Sequence, residues 1–298
     1  TVGMAVWASV FHSVAAFCNA GFSTFSDNLI GFKHNLPVNA VIGGLVILGG
    51  VGFVVLGDFY QALTNKLKRG HTAKHKFRIQ SRLALCWTGG LIFFGTLLIY
   101  WLEHDRLLAN MSTDNALLVS LFQSISTRTA GFNSCDIGAL QPATLFIMII
   151  LMFIGACPGG TGGGIKTTTA AVLWAMIRAG FRRREEAELY RRTIPVEIVQ
   201  KAVMVLCSSL LLVCGATALL AVFEQKDFLD VLFETVSAFG TVGLSTGLTP
   251  ELSDPGQILL TLVMFIGRLG PLTMGFAFIL RTVNPAKYRY AEERIMIG

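Results

Sequence analysis

Residues 233–246 read FETVSAFGTVGLST. A short apolar segment, Phe228 to Phe239, runs into a glycine turn, Thr241-Val242-Gly243-Leu244. Two earlier stretches repeat that order. Met4 to Phe17 leads into CNAGFST (18–24), and Ala116 to Ile125 leads into RTAGFNS (128–134). The turn glycines, Gly21, Gly131 and Gly243, fall at nearly equal intervals along the chain. At 10 to 14 residues the apolar segments are too short to cross about 30 Å of hydrocarbon at ~1.5 Å per residue. Each is expected to enter the membrane and turn back, and the near-constant spacing marks a repeated architectural unit.

Longer apolar runs flank these segments. Leu83 to Leu102 and Ala202 to Phe223 carry no charge and are long enough to span. Val38 to Leu63 holds one charge, Asp58, and Gln257 to Leu280 holds one, Arg268, at its middle. A fifth run is interrupted: Ala143 to Ile154, then GACPGGTGGGIKTTT (155–169), then Ala170 to Ile177. The fold expected is all-α and integral to the membrane. Units of span, re-entrant pore helix, filter loop and span surround a central pore, as in a potassium channel. The units are 1–64, which lacks a leading span, 83–178, whose second span is broken, and 196–283. The linkers are 65–82 and 179–195. Thr1 is no initiator methionine and no signal peptide opens the chain, so an internal start or a truncated product is expected.

Composition agrees with that class. Of 298 residues 53% are hydrophobic and 14% charged, with mean hydropathy +0.62, against about 25% charged in soluble domains. The net charge of +6 is concentrated in blocks between apolar runs, which fits membrane topology and not nucleic-acid binding. Eighteen of the 24 Lys and Arg lie in 66–82, 178–201 and 281–294. The positive-inside rule puts these stretches in the cytoplasm and the glycine turns outside. The six cysteines form no CxxC pair and read as buried or lipid-facing thiols.

A dehydrated cation needs oxygen ligands, and rings of backbone carbonyls supply them without a full negative charge. Aiming consecutive carbonyls inward requires positive φ at some positions, which glycine reaches cheaply. The candidate filter residues are Asn19, Ala20, Gly21 and Phe22; Thr129, Ala130, Gly131 and Phe132; and Thr241, Val242, Gly243 and Leu244.

The interruption at 155–169 is not a phosphate-binding loop, because Ile165 separates Gly164 from Lys166 and no soluble strand precedes it. Pro158 removes a backbone donor, and the five glycines of 159–164 cost a helix up to ~1 kcal/mol each relative to alanine. Such a break is tolerated beside a wet cavity. Arg268 must face the bundle interior or water, since a mid-span charge costs at least ~2.5–3.5 kcal/mol. Arg128 is expected to pair with a nearby acid, with Glu234 the candidate. Asp27, Asp136, Glu251 and Asp254 follow the turns, either as cation-concentrating groups at the mouth or as solvated loop residues.

These features resemble the Trk/Ktr/HKT superfamily of cation transporters, and most of all its bacterial KtrB-type branch. FHSVAAFCNAGFST is similar to that family's second filter region, SISTRTAGFNSCDIGAL to its third and FETVSAFGTVGLSTGLTPELS to its fourth. Thr241-Val242-Gly243-Leu244 also resembles the TVGY core of potassium-channel filters. The resemblance covers nearly the whole chain and leaves the family's first repeat unmatched, so selectivity between potassium and sodium stays open. It implies potassium uptake and no enzymatic activity, with no covalent cofactor. Potassium would be the transported ion, and sodium a coupling or activating ion. The alternatives are a sodium-selective relative and a non-conducting fragment. By the same resemblance, Gly159, Gly160, Gly162, Gly163, Gly164 and Lys166 form a gate under the filter, and Arg268 projects toward it. The implied setting is the bacterial cytoplasmic membrane. The implied partners are membrane lipid, a second copy in a homodimer, and a cytosolic nucleotide-binding ring. The stretch 178–201 is either the ring's docking surface or a solvated helix.

Overall fold

The computed structural model describes residues 2–69, 77–184 and 186–270. The basic tail residues Arg281, Lys287, Arg289 and Arg294 lie outside the described residues, as do Lys74, Lys76 and the third unit beyond residue 270.

Among the described residues the regular structure is helical apart from one small hairpin and an isolated parallel bridge between Ile154 and Ile165. In the first unit α1 (Val2–Phe17) is the short apolar helix, followed by α2 (Leu36–Val51) and α3 (Phe53–Arg69). In the second, α4 (Ile79–Glu103) is long enough to span. It is followed by the short α5 (Thr113–Ser126), then α6 (Pro142–Phe153) and α7 (Thr167–Phe181), which flank the glycine-rich interruption. The hairpin β1 (Glu188–Leu189) and β2 (Arg192–Thr193) leads to the third unit. There α8 (Val196–Glu224) is long and apolar enough to span, α9 (Phe228–Gly240) is short, and α10 (Asp254–Leu269) follows.

Two expectations change. The run from Val38 to Leu63 is not one straight span: it bends by 102° between α2 and α3, at Gly52. Gly52 has φ 91°, and a methyl group there would lie 2.6 Å from Pro158 O. The helix breaks where the glycine-rich loop comes against it. The stretch 178–201 is also not one solvated helix. It contains the end of α7, the hairpin and the start of α8.

The units pack in a repeating way. α4 lies on α5 and α6, and α8 lies on α9 and α10. Between units, α2 packs on α5 and α6 packs on α9, so each inner helix supports the next unit's short helix. The inner helices also start alike, with a proline in the first turn of α2, α6 and α10, where its missing N–H costs nothing. Asn35 caps α2 by accepting from Val38 N at 3.1 Å.

Ser253 likewise caps α10 by accepting from Gly256 N at 3.4 Å, and at both α6 and α10 a glutamate from the preceding span grips the residue that starts the helix. Glu103 ends α4, is fully buried, and accepts from Gln141 N at 3.0 Å and Thr144 Oγ1 at 2.5 Å at the start of α6. Glu224 ends α8 and accepts from Ser253 N at 3.1 Å and Ser253 Oγ at 2.6 Å at the start of α10. Each carboxylate sits unfavourably at its own helix's negative end and favourably at its neighbour's positive end. The contact therefore fixes the outer helix to the inner one. All six cysteines are free; Cys135 and Cys157 are buried and the other four exposed.

Candidate functional site

Each glycine turn begins where a short helix ends: Phe17 for α1, Ser126 for α5, Gly240 for α9. Three helix C-termini, each with partial negative charge, therefore meet the turns. In every turn the first and third residues have positive φ. The values are 51° at Asn19 and 69° at Gly21, 67° at Thr129 and 76° at Gly131, and 49° at Thr241 and 89° at Gly243. Alternating left- and right-handed residues turns successive carbonyls toward one side.

The turns converge. A methyl group on Gly131 would overlap Val242 O and lie 3.2 Å from Gly21 Cα and 3.3 Å from Gly243 Cα. One on Gly21 would lie 2.7 Å from Ala130 O, and one on Gly243 meets nothing nearer than Gly131 Cα at 3.7 Å. The middle turn thus sits between the other two, and the Ala130 and Val242 carbonyls each project at the glycine of the preceding turn. The fourth carbonyls point elsewhere. Phe132 O accepts from Ser126 Oγ at 2.5 Å and Leu244 O from Ser237 Oγ at 2.6 Å. Phe132 and Leu244 are buried, whereas Phe22 is 69% exposed.

The glycine-rich loop lies against the first residues of all three turns, taken in order. Asn19, with its amide oriented to satisfy both ends, donates to Thr161 Oγ1 at 3.3 Å and accepts from Thr129 Oγ1 at 3.3 Å. A methyl group on Gly162 would overlap Thr129 Oγ1. Gly163 N donates to Thr241 Oγ1 at 3.1 Å. Backbone bonds hold the loop's other side: Cys157 N to Gly50 O at 3.0 Å, Thr161 N to Gly49 O at 3.2 Å, and Phe53 N to Gly159 O at 3.2 Å. Gly160 backs directly onto Gly50, and Gly159 and Gly164 have φ of 76° and 70°. Lys166 Nζ donates to Gly162 O at 2.6 Å, tying the loop across its own turn. Arg268 lies exposed in the last turn of α10.

Arg128 does not pair with Glu234. It is buried and donates from Nη2 to Gly155 O at 3.3 Å, next to the Cys157 thiol. Among the described residues its Nε and Nη1 have no hydrogen-bond partner. Glu234 instead grips the chain beyond its own turn. It accepts from Ser245 Oγ at 2.5 Å, Thr246 N at 3.0 Å and Thr249 Oγ1 at 2.6 Å.

That grip is a repeated device which the sequence reading missed. Gln123, with its amide oriented to satisfy its partners, accepts from Ser134 N at 2.9 Å and Ser134 Oγ at 3.2 Å. His12 Nδ1–H donates to Ala8 O at 2.7 Å, which leaves Nε2 to accept from Ser23 Oγ at 2.9 Å. His12, Gln123 and Glu234 recur at one constant interval, and Ser23, Ser134 and Ser245 recur at the same one. The spacing was readable; the chemical difference among imidazole, amide and carboxylate concealed it. Nearby burial pushes the Cys135 thiol up to about 12, so it stays protonated.

Three of the four acids after the turns are used locally. Asp27 accepts from Gly31 N, Asp136 from Gly138 N, and Glu251 pairs with Lys226 at 2.7 Å. That pair raises the lysine's pKa and lowers the glutamate's.

The chain is 38% identical over 292 residues to Ktr system potassium uptake protein B of Vibrio alginolyticus, covering 97% of this chain and 62% of that protein. It is 36% identical over 299 residues to potassium/sodium uptake protein NtpJ of Enterococcus hirae, covering 98% of this chain and 64% of that one. The chain thus spans under two thirds of either relative. The crystal structure of the potassium transporter TrkH from Vibrio parahaemolyticus shares the fold, with TM-score 0.74 at 19% identity over 92% of this chain and 58% of that one. Residues 2–286 match the TrkH family, described as cation transport proteins, and this all-α membrane chain belongs to that family of transporters, not to a family of enzymes.

Proposed function

We propose that the chain forms three filter-bearing units of a potassium uptake protein of the bacterial cytoplasmic membrane, with its glycine turns facing outside. The observation that carries the reading is the shared φ alternation of three converging turns, with residues 161–163 beneath their first residues in order. The carbonyls of the first three residues in each turn replace an ion's water. Those of Phe132 and Leu244 are excluded, because serine hydroxyls hold them. The helix C-termini behind the turns add negative potential. The inside-negative membrane potential drives entry at about 2.3 kcal/mol per charge per 100 mV.

The loop from Gly159 to Gly164 obstructs the inner end of this path and is the gate, with Lys166 holding it in place through Gly162 O. Arg268 adds positive charge on the same side and raises the barrier to cation leak. A homodimer with a cytosolic nucleotide-binding ring, and sodium as coupling or activating ion, follow from the family resemblance. The potassium/sodium description of the Enterococcus relative favours a second reading, in which sodium itself is carried.

Rubidium-tracer and sodium-tracer uptake, measured side by side in potassium-uptake-deficient bacteria expressing the gene, tests both readings. Rubidium entry competed by potassium supports the first. Sodium entry without rubidium entry replaces it with the second, and entry of neither defeats the pore reading.

A further inference from the structure

At one end of α7 lies a polar groove of about 200 Å³, lined by Arg178, Arg182, Tyr190 and Arg191 among others. Three other lining residues are already engaged. Arg184 pairs with Glu188 at 2.7 Å, and Glu186 accepts from Thr193 Oγ1 at 3.0 Å. Among the described residues Arg178, Arg182 and Arg191 form no ion pair. The groove lies between the end of α7 and the hairpin, and Tyr190 on its edge lies beside Cys86 and Arg82 of α4.

The backbone around this groove is unusual in a consistent way. The hairpin pairs Leu189 with Arg192, leaving Tyr190 and Arg191 as a two-residue turn. Their φ values are 49° and 62°, the geometry that Asn-Gly ordinarily supplies. α7 ends in a Schellman motif, with Arg184 N bonded to Ala179 O and Arg183 N to Gly180 O. Its left-handed position is Arg183, at φ 53°, where glycine is usual. Both turns that frame the groove place long cationic or aromatic side chains at positions that disfavour them. Strain of this kind is retained where a side chain is needed.

The surroundings indicate the ligand. Trp174, Ile177 and Phe181 form an exposed stripe on α7, leading along about 10 Å of helix to the arginines. An apolar stripe ending in free guanidinium groups matches an acyl chain ending in a phosphate. Basic pockets between helices at the membrane surface bind anionic headgroups in this way.

We propose that this groove binds the phosphate headgroup of an anionic phospholipid in the leaflet where α7 ends. The test is native mass spectrometry of the purified, detergent-solubilised protein with phosphatidylglycerol, with phosphatidylcholine, and with inorganic phosphate as competitor. The wild-type protein should hold phosphatidylglycerol in preference to phosphatidylcholine, and inorganic phosphate should not displace it. Arg178→Gln with Arg191→Gln should weaken phosphatidylglycerol binding about fivefold for each arginine removed, leaving phosphatidylcholine binding unchanged.

A second variant separates ligand binding from folding. Tyr190→Asn with Arg191→Gly supplies the residues the turn geometry prefers. It should unfold at an equal or higher temperature while holding less phosphatidylglycerol. Equal binding of the two lipids by wild type, displacement by inorganic phosphate, or unchanged lipid binding in both variants each overturns the proposal. The last of these outcomes assigns the arginines to a protein-docking surface instead.

Discussion

The turn at Gly131 and the turn at Gly21 have the same backbone but different surroundings. Both alternate left- and right-handed residues, and both are held from beyond by a polar side chain on their own short helix. At Gly131 all four turn residues are buried, a neighbouring turn lies on either side, and Ser126 fastens the last carbonyl. At Gly21 the last residue, Phe22, is exposed, and the positions corresponding to the serine are Ala15 and Ala16. The conformation is thus encoded locally, by a glycine and a brace. Enclosure is supplied by neighbours, and it sets how much each turn tolerates.

The largest expected effect follows from enclosure. Gly131→Ser forces a side chain into Val242 O at a φ of 76° and should reduce rubidium uptake at least about 100-fold at normal membrane abundance. Gly243→Ser meets nothing within 3.7 Å, so only its φ of 89° opposes it, and a loss of about tenfold is expected. Gly21→Ser should fall between. A larger loss at Gly243 than at Gly131 would break the comparison.

Next come the braces. Glu234→Ala removes one acceptor group from Ser245, Thr246 and Thr249 together and should cost about 3 kcal/mol, read as a lower unfolding midpoint in detergent. Ser126→Ala releases a single carbonyl and should cost about 1 kcal/mol, with a measurable loss of potassium-over-sodium preference in the uptake assay. If Ser126→Ala leaves that preference untouched, the Phe132 carbonyl needs no fastening and the contrast with Gly21 loses one of its terms.

Much of this was legible in the sequence because it rests on period and length. The short segments, the turn glycines at nearly equal intervals and the glycine-rich break at Gly159–Gly164 each leave a local signature. What could not be read depends on tertiary contact. Nothing in GGVGF (49–53) distinguishes a flexible span from a 102° bend until Pro158 is placed against Gly52. Arg128, for which Glu234 is the partner expected from sequence, meets instead a carbonyl exposed by the broken helix. Glu103 and Glu224 look like ordinary residues at the ends of spans, and their function lies at the start of the helix after next.

The smallest expected effect tests whether the braces are interchangeable. His12→Gln places in the first turn the side chain that the second turn already uses. A glutamine can accept from Ser23 Oγ through its carbonyl oxygen and donate toward Ala8 O through its amide, the two bonds His12 now makes. The stacking of the imidazole on Phe25, at 4.8 Å between ring centroids, is lost, at a cost of about 1 kcal/mol. Uptake should stay within about twofold of wild type, since the bonds that set the turn survive and only ring packing changes. His12→Ala removes both bonds and should do more harm than His12→Gln, by about 2 kcal/mol, roughly 1 for each neutral hydrogen bond lost. If instead His12→Gln is as damaging as His12→Ala, the imidazole has a role that no amide can take. The first turn would then differ from the second in chemistry as well as in enclosure.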